Sequence, residues 1–190
     1  MKHLLTILLA LTCATSFAQS VIIKGTDAGA VRGTGAGSVR GAILTTTNTY
    51  SDGRFEIRSD NTGVVVDNDS GLTWTRDANI GGTMTWSNAV TYCDNLTNST
   101  YSDWRLPSAA EASRYVAQGG STTGLVDSYV STNDPALPLG HPFTNVQSSD
   151  YWTSTEAGDP AGAFDVSLQN GFLIDDLKTT PFLVWPCRGP

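Results

Sequence analysis

Ordered alternation of apolar and polar positions begins near Arg54. Phe55 and Ile57 alternate with polar neighbours, Asp60-Asn61-Thr62-Gly63 marks a turn, and Val64-Val65-Val66 is rich in β-branched residues. Asp67-Asn68-Asp69-Ser70-Gly71 then turns the chain into Leu72-Thr73-Trp74-Thr75, which predicts a strand, turn, strand unit. The period changes after Thr85. Trp86, Ala89, Val90, Cys93 and Leu96 recur every three or four residues, so a helix with one apolar face and an inward Cys93 is expected, with Thr85 at its N-cap. A second helix is expected after Pro107. Ser108 and Glu111 have capping-box spacing, and Ala112, Tyr115 and Val116 continue an inward stripe.

Between Gly119 and Asp150 the chain is Gly, Ser, Thr, Asn and Pro with few apolar anchors. Irregular segments of that length inside a domain are either functional or disordered. Strands return with Tyr151 to Thr155 and with the clean alternation from Ala163 to Leu168. Asn170-Gly171, a type I′ turn signal, leads into Phe172-Leu173-Ile174, and Phe182 to Trp185 makes a final strand that carries the chain to Cys187. The pattern predicts an α+β domain: two helices packed on a twisted antiparallel sheet, with one long irregular loop.

The first 53 residues are of another kind. Residues 1–18 read as a secretory signal, with Lys2 and His3 before the apolar stretch Leu4 to Leu11 and a small-x-small site at Ser16-Phe17-Ala18. Cys13 follows Leu11 and Thr12, a poor match to a lipidation site, and no later stretch is apolar for long enough to span a membrane. Residues 19–53 form a Gly/Ser/Thr-rich tail holding a near-repeat, Ala28 to Gly35 and Ala36 to Ile43, whose glycines are too irregular for a collagen triplet. A flexible linker is its default reading; docking of Val21–Ile23 and Ala42–Leu44 as edge strands is the alternative. The domain proper is expected over 54–190.

Charge and cysteines narrow the chemistry. Eleven basic residues face eighteen acidic ones, a net charge of -7, and Lys and Arg form no run. That excludes the clustered cations by which proteins hold nucleic acid, and it disfavours charge-driven attraction to anionic glycans or lipids. Removing Cys13 with the signal leaves Cys93 and Cys187, and an exported chain with two cysteines most economically forms one disulfide. No Ser-His-Asp order, phosphate cradle or histidine cluster stands out, so neither catalytic residues nor a cofactor are expected. Asp67, Asn68 and Asp69 carry oxygen ligands, but Gly71 is fifth from Asp67 and position twelve is Ala78, so the loop lacks EF-hand spacing and reads as an Asx-rich turn with no metal.

Several phrases in order resemble one family: Arg54-Phe55, Asp60 to Asp67, Ser70 to Trp74, Trp86 with Ala89 and Tyr92-Cys93, Tyr101-Ser102-Asp103-Trp104-Arg105-Leu106-Pro107, His141-Pro142-Phe143, Tyr151 to Thr155, and Val184 to Gly189. Their succession is similar to the Lcl C-terminal domain family, named for a collagen-like adhesin. That resemblance implies a C-type-lectin-like fold, akin also to the formylglycine-generating-enzyme core, in which a disulfide joins the first helix to the last strand. It further implies a secreted or surface-displayed binding module for a glycan or a surface protein. The adhesin's collagen-like stalk has no counterpart here beyond the short irregular repeat. A structural or assembly role, with that repeat docking to a partner or a neighbouring copy, is the competing reading.

In C-type lectin folds the long loop carries the ligand surface. The resemblance therefore makes Asp127, Tyr129, Asn133, Asp134, His141 and Asn145 the ligand candidates. Trp74, Trp86, Trp104, Arg105, Leu106, Pro107, Tyr151 and Trp152 are expected to be structural: the aromatic residues and Leu106 fill the core, Arg105 pairs with a carboxylate, and Pro107 pre-sets the next helix. A direct ligand contact by Arg105 is the alternative.

Overall fold

The computed structural model describes residues 47–50, 53–127 and 134–189. Two five-stranded sheets and two short helices make an α+β domain. The first sheet holds β1 (Thr47–Tyr50), β2 (Phe55–Arg58), β3 (Asn61–Asp67), β4 (Thr73–Thr75) and the last strand, β10 (Cys187–Arg188), in that order. The second runs β5 (Thr83–Met84), β9 (Phe182–Leu183), β6 (Asp150–Glu156), β7 (Gly162–Ser167) and β8 (Leu173–Leu177). Strand pairing thus reaches back to Thr47, N-terminal to Arg54.

The expected single antiparallel sheet is two sheets, and β9 lies parallel to β6 through Tyr151 and Leu183. The expected final strand is also divided. Phe182 and Leu183 pair with β5, whereas Cys187 and Arg188 pair with Trp74 and Thr73 of β4. Pro186, which has no N–H for a ladder, sits at the crossing, and its carbonyl accepts from Thr75 N at 3.1 Å.

The first helix, α1, spans Trp86–Asn95 and buries Ala89 and Cys93. Thr85 occupies the N-cap, although its side chain makes no capping bond. The second, α2, is only Ala109–Ala112. Its capping box forms as the sequence predicts, with Ser108 and Glu111 bonding reciprocally, but the helix stops where the periodicity would carry it on. Ser113 is extended, and its hydroxyl donates to Gly171 O at 2.7 Å and accepts from Tyr115 N. Ser113 also bridges to Val126. These tertiary bonds win over further helix, and Val116, expected to face inward, is 57% exposed on a single 3-10 turn. The Asn170-Gly171 turn differs as well. Only Gly171 has positive φ, while the Asn170 side chain accepts from Phe172 N, so the turn is not type I′.

One apolar cluster joins the sheets around Trp185. Its indole packs against Trp74 (5.6 Å between centroids), Phe143 (4.8 Å) and Tyr151 (5.7 Å), and Nε1 donates to Thr75 O at 2.9 Å. A second cluster sets Ala89 and Cys93 of α1 against Leu106, Trp152, Ala163 and Val184. The expected Cys93–Cys187 disulfide is not formed: both cysteines are buried free thiols. Burial, reinforced by Asp94, pushes the Cys93 pKa up to about 12, and burial raises that of Cys187 further. Both thiols are therefore protonated in the folded domain.

The hairpin of β2 and β3 is locked by a buried ion pair. Arg54 donates to both Asp67 oxygens, at 2.9 and 2.8 Å, and to Gly124 O at 2.8 Å, with side-chain exposures of 7% for Arg54 and 0% for Asp67. Removing one member strands the other charge, which typically costs about 3–5 kcal/mol. Arg54→Ala is expected to lower unfolding free energy by about that amount in urea titration; a loss below about 1 kcal/mol, the range of surface pairs, would show that the pair is not effectively buried.

Candidate functional site

The long loop is anchored at three places. First, Ala136 and Leu137 are buried, and Ala136 N donates to Leu168 O at 2.7 Å at the end of β7. Second, Phe143 enters the core between Phe55 (5.1 Å) and Trp185. Third, Thr144 and the segment after β4 exchange backbone bonds, Ala78 N to Thr144 O and Thr144 N to Arg76 O, both 2.9 Å, while Arg76 Nε donates to Pro142 O at 3.2 Å. Between the first two anchors lies the apex, where Leu139 and Gly140 are exposed. An irregular backbone built this way is preorganised, because its conformation does not depend on a ligand.

An open depression of about 410 Å³ lies at this apex, lined by Asp134, Pro135, Leu137, Pro138, Leu139, Gly140 and His141. Its volume falls within the range of small-ligand sites. Leu139 is 79% exposed. The Asp134 carboxylate bonds the Ser148 hydroxyl, and the Asp134–Pro135 peptide is cis. The imidazole of His141 is packed beside Phe143 (5.8 Å between centroids), with Nδ1 buried and without a partner. Burial lowers its pKa, so His141 is neutral at pH 7.

Of the six candidates, the structure brings Asp134 and His141 together in one depression. Asp127 stands at its root, its N–H reaching Ala136 O at 3.2 Å. Asn145 lies beyond the Phe143 anchor in a left-handed conformation (φ 54°), away from the depression. Tyr129 and Asn133 fall outside the described residues. The apolar half of the lining, Leu137, Pro138 and Leu139, is not among the six polar candidates. Its signal was present: two leucines between prolines in a segment with few other apolar residues.

The structural candidates occupy other places. Trp74, Trp104, Leu106, Tyr151 and Trp152 are each 2% exposed or less, and Pro107 is buried. Trp86 is partly buried, donating Nε1 to Thr153 O at 2.8 Å. Arg105 is committed within the fold: its guanidinium grips Glu111 at 2.7 and 2.8 Å and donates to Gly189 O at 2.9 Å. Burial alone would raise the Glu111 pKa, but the bonds from Arg105 and Ser108 outweigh it and hold the carboxylate ionised. The Asp67–Asp69 turn is occupied by cations, Asp67 by Arg54 and Asp69 by Arg114 at 2.6 Å. Among the described residues no group of three His, Cys, Asp or Glu side chains is placed to hold a metal ion.

The sign of the His141 effect is testable. Its folded pKa lies below the unfolded value of about 6.5, so the unfolded chain takes up the proton first. The stability linked to neutral His141 is present above about pH 6.5 and is lost as pH falls through the folded value. Melting temperature should therefore drop between pH 7 and pH 5, and drop less in His141→Gln; equal slopes would place the imidazole in solvent.

A family model described as the Lcl C-terminal domain matches residues 63–188, from within β3 to β10, and so takes in both helices, the loop and the depression. No curated protein matches the chain closely enough to count as a relative.

Proposed function

The chain belongs to the Lcl C-terminal domain family, and on that premise we propose that it is an exported binding module, displayed at or beyond the cell surface, with a C-type-lectin-like fold. Its ligand is a glycan or a surface protein, and contact is made at the loop apex. The observation that carries this reading is the apex itself: a solvent-facing depression, part polar and part apolar, held in place by the buried Ala136, Leu137 and Phe143.

The chemistry of the lining suits recognition. Proline and leucine surfaces pack against the apolar face of a sugar ring or a partner side chain, and Asp134 and neutral His141 supply orienting hydrogen bonds. Among the described residues, the lining carries no Ser, Cys or Lys nucleophile beside a base, the arrangement that covalent catalysis needs. The net charge of -7 favours a neutral glycan or a protein face over a sulfated chain. Export rests on the charged start, apolar stretch and small-x-small site in residues 1–18.

Leu139→Asp places a charge at the most exposed apolar point of the site without touching the core. On an array of neutral glycans and cell-surface proteins, with and without calcium, the wild-type protein should retain at least one ligand class. The variant should bind at least about tenfold more weakly, equivalent to about 1.4 kcal/mol, at an unchanged melting temperature. Retention that is identical in the two proteins would move the site elsewhere, and no retention of any probe would remove the binding reading.

A further inference from the structure

Asp165 stands in the middle of β7, opposite Trp152 of β6 on one side and Ile174 of β8 on the other. Its side chain is fully buried, and no donor reaches either carboxylate oxygen. A carboxylate taken from water without a cation or an N–H partner is strongly destabilised. Its surroundings add to the cost. Residues two apart on a strand share a face, so Asp150 on β6 and Asp176 on β8 share the Asp165 face, each diagonal to it, and both act on it as like charges.

The nearest cation on that face is already engaged. Lys178, just past the end of β8, has its Nζ 2.7 Å from Glu156 Oε2 and 2.8 Å from Pro160 O, over the Trp86 ring. The elements packed beside Trp152 and Ala163 of this face are α1, β5 and β9, which supply Trp86, Ala89, Cys93, Met84 and Phe182. Of the titrating groups on α1, burial raises the pKa of the Cys93 thiol and the Tyr92 phenol, leaving them neutral, and Asp94 is an exposed acidic residue that offers no cation. The one group that favours an ionised Asp165 is its own backbone N–H, and burial with Asp150 and Asp176 outweighs it. A protonated Asp165 is different, because it becomes a donor, with the Asp176 carboxylate beside it as acceptor.

We infer that Asp165 is a proton-operated catch on the β8 edge: with its proton, it holds β7 and β8 together, and without it, like charges on Asp150, Asp165 and Asp176 loosen β8. β8 is the element that yields, because among the described residues β7 is its only neighbour in the sheet, and Ile174 and Leu177 are 41% and 57% exposed. Burial, with Asp150 and Asp176 adding to it, pushes the Asp165 pKa up to about 8. The folded value lies above the unfolded one of about 4. The stability conferred by the retained proton is therefore complete below about pH 4 and is lost as pH rises to about 8. Opening of β8 that exposes Asp165 becomes up to about tenfold more favourable for each pH unit across that window, and is constant above it. The catch is independent of the ligand surface on the loop.

The test is an NMR titration of the purified protein. Side-chain carboxyl shifts and amide exchange over Leu173–Leu177 are followed from pH 5 to pH 9, with exchange corrected for base catalysis, in wild type and in Asp165→Asn. The Asp165 carboxyl should titrate near pH 8, and β8 opening should increase with pH in the wild type and stay flat in the variant, while β2 and β3 show no such trend. A carboxyl that titrates below pH 5, or an equal rise in opening in Asp165→Asn, overturns the inference. If Asp165→Asn does not fold, Asp176→Asn serves: it should lower the Asp165 titration midpoint and shrink the rise in β8 opening, and no change in either is equally fatal.

Discussion

The indole of Trp185 is where the first sheet, the second sheet and the long loop meet. It sits where the chain leaves β9 for β10, and its ring touches Trp74 of β4, Tyr151 of β6 and Phe143 of the loop. Its N–H closes the arrangement by donating to Thr75 O. A buried aromatic of this size contributes several kcal/mol through packing, but its position matters more than its size. Without a common contact, each sheet would still have its own ladder, while the loop would have only scattered backbone bonds. Tyr151 extends the linkage, since its hydroxyl accepts from Gln147 N at 2.9 Å and so ties a second point of the loop to β6.

The shape of the proposed ligand surface follows from that packing. The apex between Leu137 and Phe143 is short, and both ends are buried, so its backbone holds its shape without secondary structure. This is how an irregular segment rich in Gly and Pro can present Leu139 to solvent and still keep Asp134 and His141 at one depression. The unpartnered Nδ1 of His141 lies at the apex, and the unpartnered carboxyl of Asp165 lies beside the edge strand.

Features set by neighbours in sequence were legible from it. The Ser108–Glu111 capping box, the apolar face of Trp86, Ala89 and Cys93, and the strands through Val64–Val66 and Tyr151–Thr155 depend on residues a few positions apart. Features set across the fold were not. Ser113 leaves the helix for a bond to Gly171 O, 58 residues away. Thr83–Met84 shows no period and becomes a strand because Phe182 and Leu183 pair with it. Asp165 reads as the polar side of an alternating strand, yet both faces of β7 are covered and the carboxyl is buried. Within the site, Asp134 and His141 could be picked out as polar residues in a long loop, whereas the value of Leu139 depends on its exposure, which no local pattern encodes. The expected disulfide rests on cysteine number and family resemblance, and the free thiols reflect burial that neither reports.

The central claim is that the loop apex is preorganised by the Trp185 cluster, and native-state amide exchange on the free protein tests it most directly. The N–H groups of Ala136 and Thr144, bonded to Leu168 O and Arg76 O, should exchange only through the same global opening that exposes the amides of Val65 and Tyr151 in the core strands. Exchange of Ala136 and Thr144 at rates close to those of an unfolded chain, with the strands still protected, would contradict the account.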